Sequence, residues 1–120
     1  MIVRALASAE PFTTKDGSTI RELLNAEHGT ANQSLAEATV APGAATQRHK
    51  HPRAEEIYHL LEGTGAMEVD GTWRDVAPGD AILIPPGAWH AIRCTSAVPL
   101  RFLCMCAPPY AHDDTVLDDG

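Results

Sequence analysis

Four side chains in this sequence combine the types and spacing needed to hold a metal ion. His49 and His51 are separated by one residue, so on a β-strand both imidazoles leave the same face. Side by side, each can donate a ring nitrogen to one ion at about 2.0–2.2 Å. Glu56 follows across a short loop, Pro52-Arg53-Ala54-Glu55, which brings the next strand alongside, and His90 comes just after the Pro85-Pro86-Gly87 turn. Three nitrogens and one carboxylate fill four positions of an octahedron and leave two adjacent ones open. That donor set suits Mn²⁺, Fe²⁺, Co²⁺ or Ni²⁺, and Zn²⁺ or Cu²⁺ can also enter. Alone, an H-x-H pair reads as two surface histidines on an edge strand; His90 and Glu56 give it meaning.

Such residues converge only if short strands position them. Ala41-Pro42-Gly43-Ala44, Ala77-Pro78-Gly79-Asp80 and Pro85-Pro86-Gly87-Ala88 each place Pro then Gly at the centre of a turn. That order suits a type II turn, where Pro fixes the first φ and Gly takes the positive one. Asp70-Gly71 between two β-type runs is a two-residue hairpin signal. The runs cover residues 19–24, 35–40, 56–61, 66–69, 72–76, 81–84, 90–93 and 100–107. Segments of this length with regular turns describe an all-β sandwich or barrel. A helix over residues 20–27 is the weaker alternative, since Asn25 and Gly29 offer no long amphipathic face.

The chain has 120 residues, room for one domain, with 44% hydrophobic and 21% charged residues, close to globular averages. Nine basic against 16 acidic residues give a formal charge of −7. Nucleic acid binding needs a cationic surface, and the sequence shows none. Asp113, Asp114, Asp118 and Asp119 crowd the last residues, a solvated cap. No apolar run approaches the roughly 18 residues of a membrane span. The start, Met1 to Ala9, imitates a signal peptide, but Arg4 interrupts its short apolar stretch. It reads as an edge strand over residues 2–6, with an export signal as the alternative. Cys94, Cys104 and Cys106 are odd in number and form no CxxC pair, so a reducing cytoplasm is the simpler compartment.

The histidines belong to two longer patterns that resemble those of the cupin superfamily. The first family motif appears as Gly43, His49, His51, Glu56 and Gly63, the second as Gly79, Pro85, Gly87 and His90. Together they form a motif core over residues 43–94, with peripheral ends at 1–17 and 108–120. The resemblance implies an all-β, small jelly-roll barrel over residues 1–120, holding one divalent metal ion on His49, His51, Glu56 and His90. Mn or Fe leads among the metals, and the resemblance further implies a homodimer. Glu55 is the competing carboxylate, but only Glu56 leaves the six residues before Gly63 that the motif carries. Where the second motif usually has Asn, this chain has Cys94.

Strand alternation also predicts the pocket. Glu56, Tyr58 and Leu60 share one face of their strand, which sends His59 away from the metal. Arg48, Lys50, Arg93 and Arg101 alternate with inward residues and should face outward, so the barrel lacks the cation an anionic substrate needs. The expected inward set is Gln47, Tyr58, Leu60, Ile92, Cys94 and Phe102, with Trp89 at the mouth. That lining suits a small, largely apolar molecule, such as a phenol, enol or diketone that chelates the metal. Gln47 and Tyr58 supply its polar contacts, and Cys94 is a thiol near the metal. The leading expectation is an enzyme of dioxygenase, isomerase, decarboxylase or lyase type, with Glu56 as a base once it leaves the metal and Tyr58 beside it. The rival is a non-catalytic metal- or metabolite-binding module.

Overall fold

Runs with period-two burial pair into two antiparallel sheets in the computed structural model, which describes residues 1–120. The strands are β1 (Phe12–Thr13), β2 (Thr19–Leu24), β3 (Ser34–Val40), β4 (His49–Lys50), β5 (Glu55–Glu62) and β6 (Gly65–Val69). They continue with β7 (Thr72–Val76), β8 (Ala81–Ile84), β9 (His90–Cys94), β10 (Leu100–Ala107) and β11 (Val116–Leu117). One sheet runs β1-β2-β3-β10-β5-β8 and the other β11-β4-β9-β6-β7. This is the all-β jelly roll expected from the sequence. All eight expected runs are strands, and the expected turns form: Gly43, Gly79 and Gly87 take φ of 76°, 94° and 78°, and Asp70-Gly71 turns β6 into β7 with both φ positive.

Three differences have physical causes. No strand forms over residues 2–6; a 3-10 turn at Leu6–Ser8 follows an extended start instead. The two-residue strands β1 and β11 carry too little alternation to be read from sequence, and β4, expected to carry both histidines of the H-x-H pair, ends at Lys50, one residue before His51. The disfavoured helix is absent: β2 ends at Leu24, and a 3-10 turn at Ala26–His28 follows, closed by a reciprocal Asn25/His28 cap.

The core lies between the sheets. On β5 the burial alternates, with Glu56, Tyr58 and Leu60 inside and Glu55 and Ile57 outside. Phe102 and Leu100 on β10 and Ile92 on β9 meet them from either side. At roughly 25 cal/mol per Å² of apolar surface, each such side chain contributes about 1.5–3 kcal/mol. Gly63 closes the β5–β6 turn at φ +77°, where a Cβ would lie 2.7 Å from the Pro99 carbonyl oxygen. Only glycine fits there, so the motif glycine is a packing requirement of the barrel.

Candidate metal centre

Each sheet contributes to one cluster at the end of the barrel. His49 on β4 is the cross-strand partner of His90 on β9, which brings their rings to 4.2 Å between centroids, tilted by 55°. His51, two residues on, brings a third ring 5.1 Å from His49 and 5.5 Å from His90. One ring nitrogen from each lies within 4.8 Å of the others. Glu56 enters from β5 in the opposite sheet, and its Oε1 lies 3.3 Å from His51 Nε2 and 3.4 Å from His90 Nε2. All four residues are buried. Glu55, the competing carboxylate, is exposed.

The donor atoms are pre-aimed. The Nδ1 atoms of His49, His51 and His90 lie 2.7, 3.2 and 3.0 Å from the backbone carbonyls of Gln47, Asp114 and Ala88. A carbonyl only accepts, so each Nδ1 carries a proton, and in the neutral ring each Nε2 is bare and turned inward. Glu56 Oε1 and His90 Nε2 are buried with no hydrogen-bond partner. An orphaned buried polar atom is costly, and these two face the same space. The other Glu56 oxygen is held by the Cys106 thiol, whose Sγ donates across 3.2 Å. Ligand atoms bound at about 2.1 Å and at right angles lie about 3 Å apart, close to the contacts seen here. The residues fit a divalent metal ion.

The electrostatics agree. Burial, with His90 beside it, pushes His49 down to about 4 despite the pull of Asp16. Burial alone would raise Glu56, but His51 and His90 outweigh it and hold the carboxyl well below its usual range. His51 moves the other way: Glu56 overcomes the burial and raises it. Burial lifts the Tyr58 phenol well above its ordinary value, so it is a donor and no base until deprotonated.

The cavity at the cluster has a volume of about 40 Å³. That is room for about three waters; typical organic-ligand pockets start near about 300 Å³. Tyr58 and Phe102 line it. The other expected contacts fall elsewhere. Leu60, Ile92 and Cys94 face inward but pack in the core beyond the cavity. Gln47 is exposed, and the buried neighbour is Thr46. Trp89 is half-buried beneath Arg48 and Lys50, 5.5 and 4.6 Å from its ring, away from any mouth. The expected outward cations are outward: Arg48 binds Glu68 and Asp118, Arg93 the Gly43 carbonyl, and Arg101 binds Glu37.

Sequence reasoning missed the roof. The ends treated as peripheral close over the site, with Asp16 and Lys15 from the β1–β2 turn and Tyr110 and Thr115 from the tail lining the cavity. Lys15 Nζ donates to the carbonyls of His112 and Thr115, both at 3.1 Å, joining the two ends. Cys106 touches Glu56, the contact with the site that was expected of Cys94. The Asp16-Gly17 dipeptide signals a turn, but nothing local says what that turn faces.

A jelly roll that turns three imidazoles and a carboxylate into its interior is the architecture of a β-barrel with an internal metal-type centre. The chain belongs to the cupin family, whose Cupin domain pattern matches residues 36–106. It is 50% identical over 107 residues to an uncharacterized protein of Methanocaldococcus jannaschii, covering 88% of this chain and 86% of that one. Among solved structures it is similar to the polyketide cyclase RemF from Streptomyces resistomycificus. That pair shares 27% identity and a TM-score of 0.76, over 89% of this chain and 80% of the other. It is also similar to a predicted oxalate decarboxylase from Thermotoga maritima, at 27% identity and a TM-score of 0.75, over 90% and 99% of the two chains.

Proposed function

We propose that this protein is a metal-dependent cupin enzyme acting on a small, largely apolar organic molecule. His49, His51, His90 and Glu56 hold one divalent ion, Mn²⁺ or Fe²⁺ ahead of the others. The observation that carries this reading is the set of inward Nε2 atoms, each fixed by a backbone carbonyl, facing an unpartnered Glu56 oxygen. When bound, the ion supplies Lewis acidity and a template for a chelating oxygen. Once off the ion, Glu56 would be a proton acceptor at the cluster, and the neutral Tyr58 phenol would be a donor at the cavity wall.

The lining argues for the substrate class. No arginine enters the barrel, and the Lys15 amine is already held by two carbonyls. Beyond Glu56 lies a second lobe of about 40 Å³, where Ile20, Ala36, Cys104 and Cys106 share the lining with Thr14, Glu22, Asn25 and Ser34. A neutral molecule with one chelating edge and an apolar body matches the two lobes. One relative is named as a polyketide cyclase, and the cationic side chain at this cavity, Lys15, is already held by two carbonyls. Admission requires the roof to open, and the smallness of the closed cavity favours a second reading, a metal-binding module without turnover.

Metal analysis of protein purified without an affinity tag tests the proposal, followed by a panel of phenols, enols and diketones. About one equivalent of Fe or Mn with turnover supports the enzyme. One equivalent without turnover or ligand binding supports the module, and a chain that refuses every divalent ion overturns both. Proton competition provides a further check. A proton on the raised His51 occupies the lone pair the ion needs. Metal affinity is therefore expected to fall with falling pH, by about tenfold per unit once below the His51 value. A flat affinity profile across the neutral and mildly acid range contradicts the assigned ligand.

A homodimer completes the proposal. Leu24, Leu35, Met105, Ile57 and Leu83 stand in register across β2, β3, β10, β5 and β8, an apolar row on the outer face. Ile57 and Leu83 are 37% and 59% exposed, and Leu83 lies on an edge strand with unpaired backbone groups. A second copy covers that row. Light scattering should give twice the chain mass, and Leu83→Glu should shift it to the single-chain mass without loss of folding. The three free thiols suit a reducing compartment, which we propose as the setting.

A further inference from the structure

A second carboxylate reaches the cluster from outside both family motifs. Asp16 sits in the turn between β1 and β2, where Gly17 N–H donates to the Thr14 carbonyl at 3.0 Å. One of its oxygens, Oδ1, accepts from the Thr14 hydroxyl at 2.7 Å, the Ser18 hydroxyl at 2.6 Å and the Ser18 N–H at 2.8 Å. Its backbone carbonyl accepts from Gln47 N–H at 2.7 Å, stitching the turn to the segment that leads into His49. These bonds fix the rotamer and leave Oδ2 3.4 Å from His49 Nε2, on a side chain only 13% exposed.

His49 Nδ1–H is committed to the Gln47 carbonyl, so in the neutral ring Nε2 offers a lone pair, and a carboxylate oxygen offers another. Two acceptors facing each other in a buried site repel unless a cation lies beside both. Glu56 Oε1 stands in the same relation to His51 and His90, at 3.3 and 3.4 Å. All three contacts are close to the edge of about 3 Å that joins neighbouring ligands on one ion.

We propose that Asp16 is a fifth metal ligand, bound through Oδ2. This rests on the metal reading above and changes what the site offers. Two carboxylates and three neutral imidazoles balance the charge of a divalent ion and leave one of six positions open. A substrate that chelates through two oxygens must then displace Asp16, which makes the β1–β2 turn part of substrate entry. A second carboxylate also shifts preference toward harder ions such as Mn²⁺ over Cu²⁺.

The test uses the full chain, stripped of metal and reloaded with Mn²⁺. Affinity is read from the magnetic resonance signal of free Mn²⁺, and exchangeable water on bound Mn²⁺ from water-proton relaxation. Wild type should show one exchangeable water. Asp16→Ala should show two, with affinity about tenfold weaker. Asp16→Asn keeps an acceptor for Thr14 and Ser18, and should weaken affinity while melting at the wild-type temperature, so a misfolded Ala variant leaves the proposal exposed. Equal water counts and affinities within twofold across all three proteins overturn Asp16 as a ligand. Wild type that folds yet binds no Mn²⁺ overturns the metal reading itself. Loss of Mn²⁺ in His51→Ala, with no change in the Asp16 variants, overturns the fifth ligand alone.

Discussion

Glu56→Gln is expected to lower metal affinity by at least about 100-fold while leaving the metal-free protein as stable as wild type or more so. The first half follows from charge: the carboxylate is the donor contributed by the second sheet, and changes even to outer partners of metal ligands cost about 10–100-fold. The second half follows from the orphaned atoms. Cys106 Sγ donates to Oε2, which fixes the amide oxygen on that side and turns the new NH₂ toward the Nε2 atoms of His51 and His90. His90 Nε2 has no partner in the native chain, so the amide satisfies it. A neutral hydrogen bond contributes about 0.5–1.5 kcal/mol. His51→Ala should lose metal to the same degree, with no such gain in stability. Isothermal titration with Mn²⁺ and Zn²⁺, beside urea denaturation of the stripped proteins, reads both quantities. A Glu56→Gln protein that binds metal like wild type removes Glu56 from the site, and one that unfolds shows the carboxylate to be structural.

Phe102→Ala carries the largest expected change in stability, a loss of about 3–5 kcal/mol. Phe102 is 1% exposed, lies near the centre of the core, and packs its ring 4.6 Å from that of Tyr58. Its neighbours on β3 and β5, Ala38 and Leu60, are fixed by the strand register and cannot close the gap. Trp73 is the control: it is 60% exposed, so Trp73→Ala should stay within about 0.5 kcal/mol of wild type. Urea midpoints compare the two. Phe102 also walls the cavity at the cluster but is no donor for a metal, so metal affinity in the folded fraction should change little. Equal losses for the two variants would show that the core lies elsewhere.

These residues also show how far the sequence could be read. The clustering of His49, His51, Glu56 and His90 was legible because their spacings match the family motifs and, for Glu56, because a two-residue strand period decides which face a side chain takes. Alternation placed Glu56, Tyr58 and Leu60 inside and Arg93 outside. It could not decide depth. Cys94 lies four residues beyond His90 on the same strand, about 13 Å along it, so it faces inward at the wrong level to meet a metal. Leu60 stands in the same relation to Glu56. Gln47 failed for another reason: regular strand begins only at His49, and the alternation slips in the irregular approach, burying Thr46 instead. Trp89 precedes an inward residue and therefore points out. Asp16 and the tail were invisible because their partners are set by the path of the whole chain.

The roof over the cluster also bears on the order in which the molecule can be built. His51 donates its hydrogen bond to the Asp114 carbonyl, 63 residues away, and Lys15 reaches Thr115 across 100 residues. The hairpin of β6 and β7 closes through a two-residue turn. Loop-closure entropy favours the short connection first and defers the long ones. The barrel wall can thus form while His51 is still free to rotate and exchange tautomers, its ring unaimed. Any discrimination among ions would then fall to the finished chain, since the nascent one offers only loosely held imidazoles.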